Sequence, residues 1–463
     1  MMGFVLSILY LITYYLTPAY LFGPLANAHI ELIIVVLVLI VSVPALMRSF
    51  LLKNSQSLAI IGLAIAVFLS FLIGKHWAGG GVRSFLDFIP NGMAYFLVCL
   101  HCNSKRKLQV LILMMLSVCL FVIAHGAFDL QHGVPESVPA PGSTLRKGTT
   151  ASPYLLSQEN DSGQSTYRLQ GLGEINDPND FGQLIVCVIP LMFIFWRTKK
   201  MITNIPFVIL PVCVLLFGVF LTHSRGALLA LTAVAIVAAR RRIGALPAVL
   251  LVGGLFAAAM ALHFTGGRDI SATAGEDRTA LWGQGIELLK THPLFGVGYH
   301  DVYESTEGYL TVHNSVIVCA AELGLFGLYF WSLFLFSTLR DALAIASPLK
   351  VSQEEPIIPE KSPFPQSAWR IEEIDKVEIN RLGRLMVLSL TGFLVAGLFL
   401  SRSFVVTLFL LGGMAEVVYE MALRRGKIAP RLRLARVLLY SGGLEVALVL
   451  VMYIMVRILN LMR

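Results

Sequence analysis

The chain has 463 residues, 56% of them apolar and only 14% charged, with a mean hydropathy of +0.76. That apolar fraction exceeds what a water-soluble core of this length requires, so the bilayer is the natural solvent and a soluble globular class is excluded. The net charge of +8 rests on Lys and Arg gathered in short loops, without the basic, aromatic-interleaved surface that nucleic-acid binding needs, so no nucleic-acid partner is expected.

In chain order, the apolar runs predict thirteen spans of about 20 residues. They lie near 4–22, 29–47, 58–74, 85–102, 108–127, 180–196, 204–222, 226–239, 244–263, 314–338, 385–401, 404–422 and 437–456. The first run lacks a basic n-region and a small-residue cleavage site and is read as a retained helix. The loops carrying Arg48 and Lys53, Lys105 to Lys107, Arg197 to Lys200, Arg240 to Arg242, and Arg424, Arg425 and Lys427 all fall on one side if the helices alternate. The positive-inside rule makes that side cytoplasmic and the N-terminus internal. Residues 128–179, 223–225 and 264–313 then form outer, periplasmic loops, two of them large. Segment 341–383, punctuated by Pro348, Pro356, Pro359, Pro363 and Pro365, reads as a cytoplasmic loop.

These readings give an all-α polytopic membrane protein of about 12–13 transmembrane helices, a single membrane domain over 1–463, in a bacterial inner membrane and in contact with its lipids. There is no fixed-period repeat and no inverted pair of broken helices of the transporter kind. Cys99, Cys102, Cys119, Cys187, Cys213 and Cys319 lie in or beside apolar runs, where they act as small hydrophobes. Cys99 and Cys102 have C-x-x-C spacing but no second ligand pair, so packing is their expected role.

The 264–313 loop is unlike a connector, holding Arg268, Asp269, Glu276, Asp277, Arg278, Trp282, His292, His300, Asp301, Glu304, Glu307 and His313. Its stretch from Arg278 to His292 has apolar residues at helical spacing and predicts an amphipathic helix on the membrane surface. Gly296-Val-Gly298 then predicts a tight turn where the backbone approaches something closely.

His313-Asn314 opens the next span, and after nine intervening residues comes Gly324-Leu-Phe-Gly327. This pattern resembles the signature shared by bacterial O-antigen ligases and O-linked protein oligosaccharyltransferases. Thr222-His223-Ser224-Arg225-Gly226-Ala-Leu-Leu229 resembles the Arg-x-x-x-Leu motif of the wider O-antigen ligase and polymerase superfamily. Asp177-Pro178-Asn179-Asp180 resembles its Asp-Pro-Asn element, and Trp282 with His292-Pro-Leu-Phe-Gly-Val-Gly298 adds a fourth match. The resemblance covers 168–330, an O-antigen ligase-like core; the flanks match only in being polytopic.

The resemblance implies a GT-C-like glycosyltransferase fold, a glycan donor on undecaprenyl pyrophosphate, and inverting transfer without metal or other cofactor. The acceptor it implies is a hydroxyl on lipid A core or a related glycan. A polymerase, a protein oligosaccharyltransferase and a lipid-linked sugar flippase are the alternatives. A flippase would carry cations along an internal cavity, whereas here the Arg and His candidates sit in outer loops and at outer helix ends.

Individual residues have bland readings beside these. Arg225 at a helix mouth either snorkels to lipid phosphate or grips a pyrophosphate bidentately. His313 is either an interfacial hydrogen-bonding residue or a catalytic group, as base toward the acceptor or as a cation facing phosphate. Asp177-Pro178 reads as an N-cap followed by proline at the first helical position. Asn179 faces the acceptor in the functional reading, Arg168 and Arg278 are second grips on the diphosphate, Asn314 belongs to the signature, and Glu322 is a partner of the site. Lys75, His76 and Arg83 around Gly79 to Gly81 read as a solvated surface.

Overall fold

The computed structural model describes residues 2–18, 29–47, 49, 51–133, 152–159, 165–261, 272–306, 311–347, 376–424, 428 and 431–461. Each of the thirteen predicted spans overlaps a helix. Among the described residues nine are long and apolar enough to cross a membrane: Ile30–Met47, Ser55–Leu72, Lys105–His132, Pro178–Phe195, Met201–Thr222, Ser315–Ala346, Val377–Gly397, Val406–Leu423 and Leu434–Leu459. The other four fall short for identifiable reasons. Met2–Leu16 and Ala245–Ala261 are short, Ala78–His101 carries Arg83 and Asp87, and Arg225–Ile243 begins and ends on arginines.

Burial separates two kinds of span. Only 11% of the apolar window is covered by protein in Ile30–Met47 and in Leu434–Leu459, so their leucines, isoleucines and valines face outward, as a hydrocarbon solvent permits. In Val406–Leu423 the figure is 94% and in Pro178–Phe195 it is 83%, which makes these two the cores of the structure.

The chain divides into two compact units, each built from separate stretches. The first comprises Met1–Ile40, Lys105–Asp269 and Leu388–Ala396. Its central helix is bound to the 388–396 stretch by polar side chains that reach backbone carbonyls: Ser389 Oγ donates to Cys187 at 2.7 Å and Gln183 Nε2 to Phe393 at 3.0 Å. Such bonds satisfy hydroxyl and amide groups where water is absent.

This unit also corrects the all-α expectation. Leu155–Glu159 and Ser165–Leu169 form an antiparallel hairpin, with Leu156 opposite Arg168 and Gln158 opposite Thr166. It lies directly on the Lys105–His132 helix, where a Cβ on Gly126 would stand 2.1 Å from Leu169 Cδ1. The remainder of the predicted outer loop, 134–151 and 160–164, lies outside the described residues.

The second unit comprises Val41–Ser104, Ile270–Val387 and Gly397–Arg463. Around Val406–Leu423 it packs Ala78–His101, Ser315–Ala346 and Ser55–Leu72. The Phe409 ring meets Phe88 edge-on at 5.8 Å and tilts against Phe334 at 5.0 Å. Asp341, Glu416 and Glu420 are fully buried here and matched by three arginines: Arg340 pairs Asp341, Arg424 pairs Glu420, and Arg431 bridges Asp341 and Glu416. Balanced charge is the condition under which such groups persist in an apolar interior.

The expected cytoplasmic loop is shorter than 341–383, because the preceding helix runs to Ala346 and the next begins at Lys376. Its proline-bearing portion, 348–375, is outside the described residues, as are Arg48, Arg268, Asp269, Glu307, Arg425 and Lys427. Among the described cysteines none is disulfide-bonded; five are buried, including Cys99 and Cys102, and Cys213 is exposed.

Candidate active site

In the first unit the candidate residues converge on one corner. The Leu210–Thr222 helix ends and the Arg225–Ile243 helix begins with only two residues between them. A reversal this short requires a left-handed residue, supplied by His223 at φ +47°. Ser224 then caps the new helix, its hydroxyl accepting from the Ala227 N–H at 3.2 Å. Gly182 permits the central helix to press against the corner, since a Cβ there would stand 2.8 Å from that of Ala227.

A chain of polar side chains fixes the corner from the other side. Arg168, 3% exposed, donates from Nε to the Thr222 carbonyl at 2.9 Å, from Nη1 to Gln158 Oε1 at 2.9 Å and from Nη2 to Asn179 Oδ1 at 3.0 Å. The Ser224 hydroxyl donates to that same Asn179 oxygen at 2.8 Å. Asp177 is the N-cap of the Pro178–Leu191 helix, accepting from the Asn179 N–H at 2.8 Å and from its side-chain Nδ2 at 3.0 Å. The Asp-Pro-Asn element and Arg168 are thus a brace, with side chains turned toward protein. Arg225, the first residue of its helix, is the half-exposed member of the group, at the end where amide N–H groups and the macrodipole favour anions.

The second unit holds the remaining candidates. His313 is half-exposed and left-handed at φ +50°, and its backbone N–H donates to Ser401 Oγ at 2.8 Å. The Thr311 hydroxyl is 3.3 Å from its Nδ1. Asn314, 1% exposed, is the N-cap of the long Ser315–Ala346 helix, its Oδ1 accepting from the Val316 N–H at 3.0 Å and the Ile317 N–H at 3.2 Å. The signature asparagine therefore holds the helix, while the histidine before it remains accessible.

The Gly-x-x-Gly element is a break that hydropathy alone did not predict. The span is interrupted at Gly324, φ +64° and ψ −168°, and the stretch Pro293–Gly298 inserts against the gap. Val297 and Gly298 donate to the carbonyls of Ala321 and Glu322 at 2.9 and 3.1 Å, while Leu325 and Phe326 donate to those of Pro293 and Leu294 at 2.8 and 3.1 Å. Four inter-segment bonds thereby satisfy the backbone groups freed by the break, which a non-aqueous surround demands. The backbones touch so closely that a Cβ on Gly324 would stand 2.3 Å from the Leu294 carbonyl carbon, and one on Gly296 2.3 Å from that of Glu322. The object that Gly296-Val-Gly298 was expected to approach is this broken helix.

Glu322, 4% exposed, sits beside the break, and its carboxylate accepts from the backbone N–H of His300. His300 is itself left-handed, with its ring stacked on Tyr299 at 4.1 Å. Burial, with Arg402 adding to it and Asp87 and Asp301 opposing, lowers its pKa to about 4, so it is neutral at physiological pH. Lys75, read from sequence as solvated, pairs with Asp301 and lies 3.8 Å from Glu304.

The predicted surface helix runs from Ala272 to Thr291, beginning before Arg278. Trp282 and Leu281 are buried on its inner side, and Arg278 is half-buried about two turns in. Sequence reasoning did not single out Ser401, Arg402 or the capping Ser224. The only signals were a polar Ser-Arg-Ser triplet between two apolar runs and a serine immediately before Arg225.

A comparison with curated proteins finds no significant match. Just over a quarter of the chain matches one protein family, in a stretch that includes Arg225, Arg278, His313, Asn314, Glu322 and the Gly324 break but omits Arg168, Asp177 and Asn179. Residues 209–332 match the family model described as O-antigen ligase, and through that stretch the chain is assigned to the O-antigen ligase superfamily.

Proposed function

We propose that the protein is an O-antigen ligase-type glycosyltransferase. In this reading it moves an oligosaccharide or polysaccharide from undecaprenyl pyrophosphate to an acceptor hydroxyl, on lipid A core or a related glycan, at the periplasmic face of the inner membrane. The observation that carries it is the form of the family's signature: a half-exposed, left-handed His313 held by its backbone at a helix mouth, with the structural burden borne by Asn314. Left-handed backbone at a non-glycine residue costs on the order of 1 kcal/mol or more and persists where the surroundings over-determine it.

The acceptor oxygen attacks the anomeric carbon of the donor's first sugar, and the bond from that carbon to the phosphate oxygen breaks. Undecaprenyl pyrophosphate leaves, and configuration inverts because displacement is single. His313 receives the acceptor proton or orients the hydroxyl. Arg225 takes up charge developing on the leaving diphosphate, with Arg278 as a second cation. Arg168, Asp177 and Asn179 act through the Ser224 corner as a brace, and Glu322 acts by holding the 298–300 backbone. No metal is assigned a role.

The test is reconstitution of purified protein with glycan-loaded undecaprenyl pyrophosphate and lipid A core. Glycan appearing on the core supports the ligase, and lengthened glycan on the carrier lipid would make the protein a polymerase. Movement of intact labelled lipid between leaflets without transfer would make it a flippase.

A further inference from the structure

The loop between the Lys376–Gly397 and Val406–Leu423 helices is bound to the start of the Ser315–Ala346 helix more tightly than a connector requires. Ser401 Oγ accepts from the His313 N–H at 2.8 Å, and Ser315 Oγ donates to the Leu400 carbonyl at 2.9 Å. The Arg402 N–H donates to Ser315 Oγ at 3.3 Å, Ser403 Oγ donates to the Ser315 carbonyl at 2.5 Å, and Trp331 Nε1 donates to the Ser403 carbonyl at 2.9 Å. Phe404 anchors the far side, its ring 5.4 Å from Tyr299 and 6.4 Å from Phe88.

Leu400, Ser403 and Phe404 are all buried, whereas Ser401 and Arg402 are half-exposed. The loop thus presents one long cationic side chain from a fixed backbone, in register with His313 and beside the Tyr299-His300 pair. The surrounding charges sharpen its identity. Lys75 is engaged with Asp301 and lies near Glu304, His300 is neutral, Glu322 is buried against the His300 backbone, and Asp87 is exposed. The group on this loop able to offer fixed positive charge next to His313 is Arg402.

We propose that Arg402 contacts substrate, binding a phosphate oxyanion beside His313. The proposal rests on the transfer reaction proposed above. A guanidinium on a rigid loop is suited to bidentate grip of a phosphate, and the serine bonds on both sides fix its approach to His313. The phosphate is either the diphosphate of the carrier lipid or a phosphate on the acceptor.

The full-length protein with Arg402→Met and with Arg402→Lys decides this, using transfer kinetics with donor and acceptor varied separately and direct binding of glycan-free undecaprenyl pyrophosphate. The expected result for Arg402→Met is a KM raised at least tenfold for one substrate, kcat within about threefold of wild type, an unchanged melting midpoint, and partial recovery in Arg402→Lys. A raised donor KM together with weakened lipid binding identifies the carrier diphosphate. A raised acceptor KM, absent with dephosphorylated acceptor, identifies the acceptor phosphate. Both KM values and lipid binding within twofold of wild type would overturn the proposal, as would a fall in kcat and melting midpoint shared equally by the two variants. If wild type transfers nothing but Arg402→Met still weakens lipid binding, the transfer reading fails and the Arg402 site stands.

Discussion

His223-Ser224-Arg225 in the first unit and His313-Asn314-Ser315 in the second share a backbone plan: a left-handed histidine, a capping side chain, and the first residue of a helix. They differ in which residue is left accessible. In the first, the Ser224 hydroxyl is divided between its own helix and Asn179, and Arg225 after the cap is half-exposed. In the second, Asn314 caps with nearly its whole surface buried, and His313 before it is the half-exposed group. One turn geometry therefore presents a permanent cation on one side of the cap and a titratable ring on the other. The proposed reaction needs both, a grip on the leaving diphosphate and a partner for the acceptor proton.

The strongest way to break this comparison is to remove the presented groups. Arg225→Ala and His313→Ala are each expected to lower transfer by 10²-fold or more, about 3 kcal/mol, with little change in melting midpoint. Arg225→Lys should recover only part, because an ammonium cannot make the bidentate contact.

Next in size are the glycines that allow the broken helix. Gly324→Ala and Gly296→Ala combine a positive φ with backbone contact at 2.3 Å, so a loss of roughly 3 kcal/mol or more is expected, read as reduced folded yield and melting midpoint. Wild-type stability in either variant would show that the inserted stretch does not bear on the break.

His300 gives a pH test of comparable size. Its pKa of about 4 against an unfolded value near 6.5 means that the unfolded state binds its proton first as pH falls. This residue's contribution is constant above pH 6.5, falls between 6.5 and 4, and is flat below, by up to ~3 kcal/mol. The difference in melting midpoint between wild type and His300→Asn should change through that window; no change across it would contradict the buried, neutral assignment.

The brace and the caps come last. Asn179→Ala is expected to cost about 1–3 kcal/mol of stability, and Ser224→Ala or Asn314→Ala about 1 kcal/mol each. Donor KM in Asn179→Ala should move less than in Arg225→Ala. The reverse order would return Asn179 to the substrate.

Much of this was legible because hydropathy and local chemistry act over short distances. The positions of the helices follow from apolar run length, and Asp177-Pro178 declares a helix start by its own chemistry. What escaped depends on partners far along the chain. Gly324-Leu-Phe-Gly327 reads as tolerable glycine within a span until Pro293–Gly298 supplies the hydrogen bonds that let the helix break. The hairpin's strands, Leu155–Glu159 and Ser165–Leu169, are five residues each and too short for periodicity to stand out from loop. Arg168 looked like a free loop cation because nothing near it in sequence announces Thr222, and Arg402 looked like a turn charge because Ser315 lies 87 positions away.

The central claim is that the two helix entrances present an anion grip and a proton partner for one transfer reaction. It is tested most directly by reacting purified wild type, Arg225→Ala and His313→Ala with labelled glycan on undecaprenyl pyrophosphate in the presence of acceptor, and following label onto the acceptor hydroxyl. The account predicts transfer by wild type and a loss of at least 10²-fold in each variant, with both variants folded. Undiminished transfer by the two variants would contradict it.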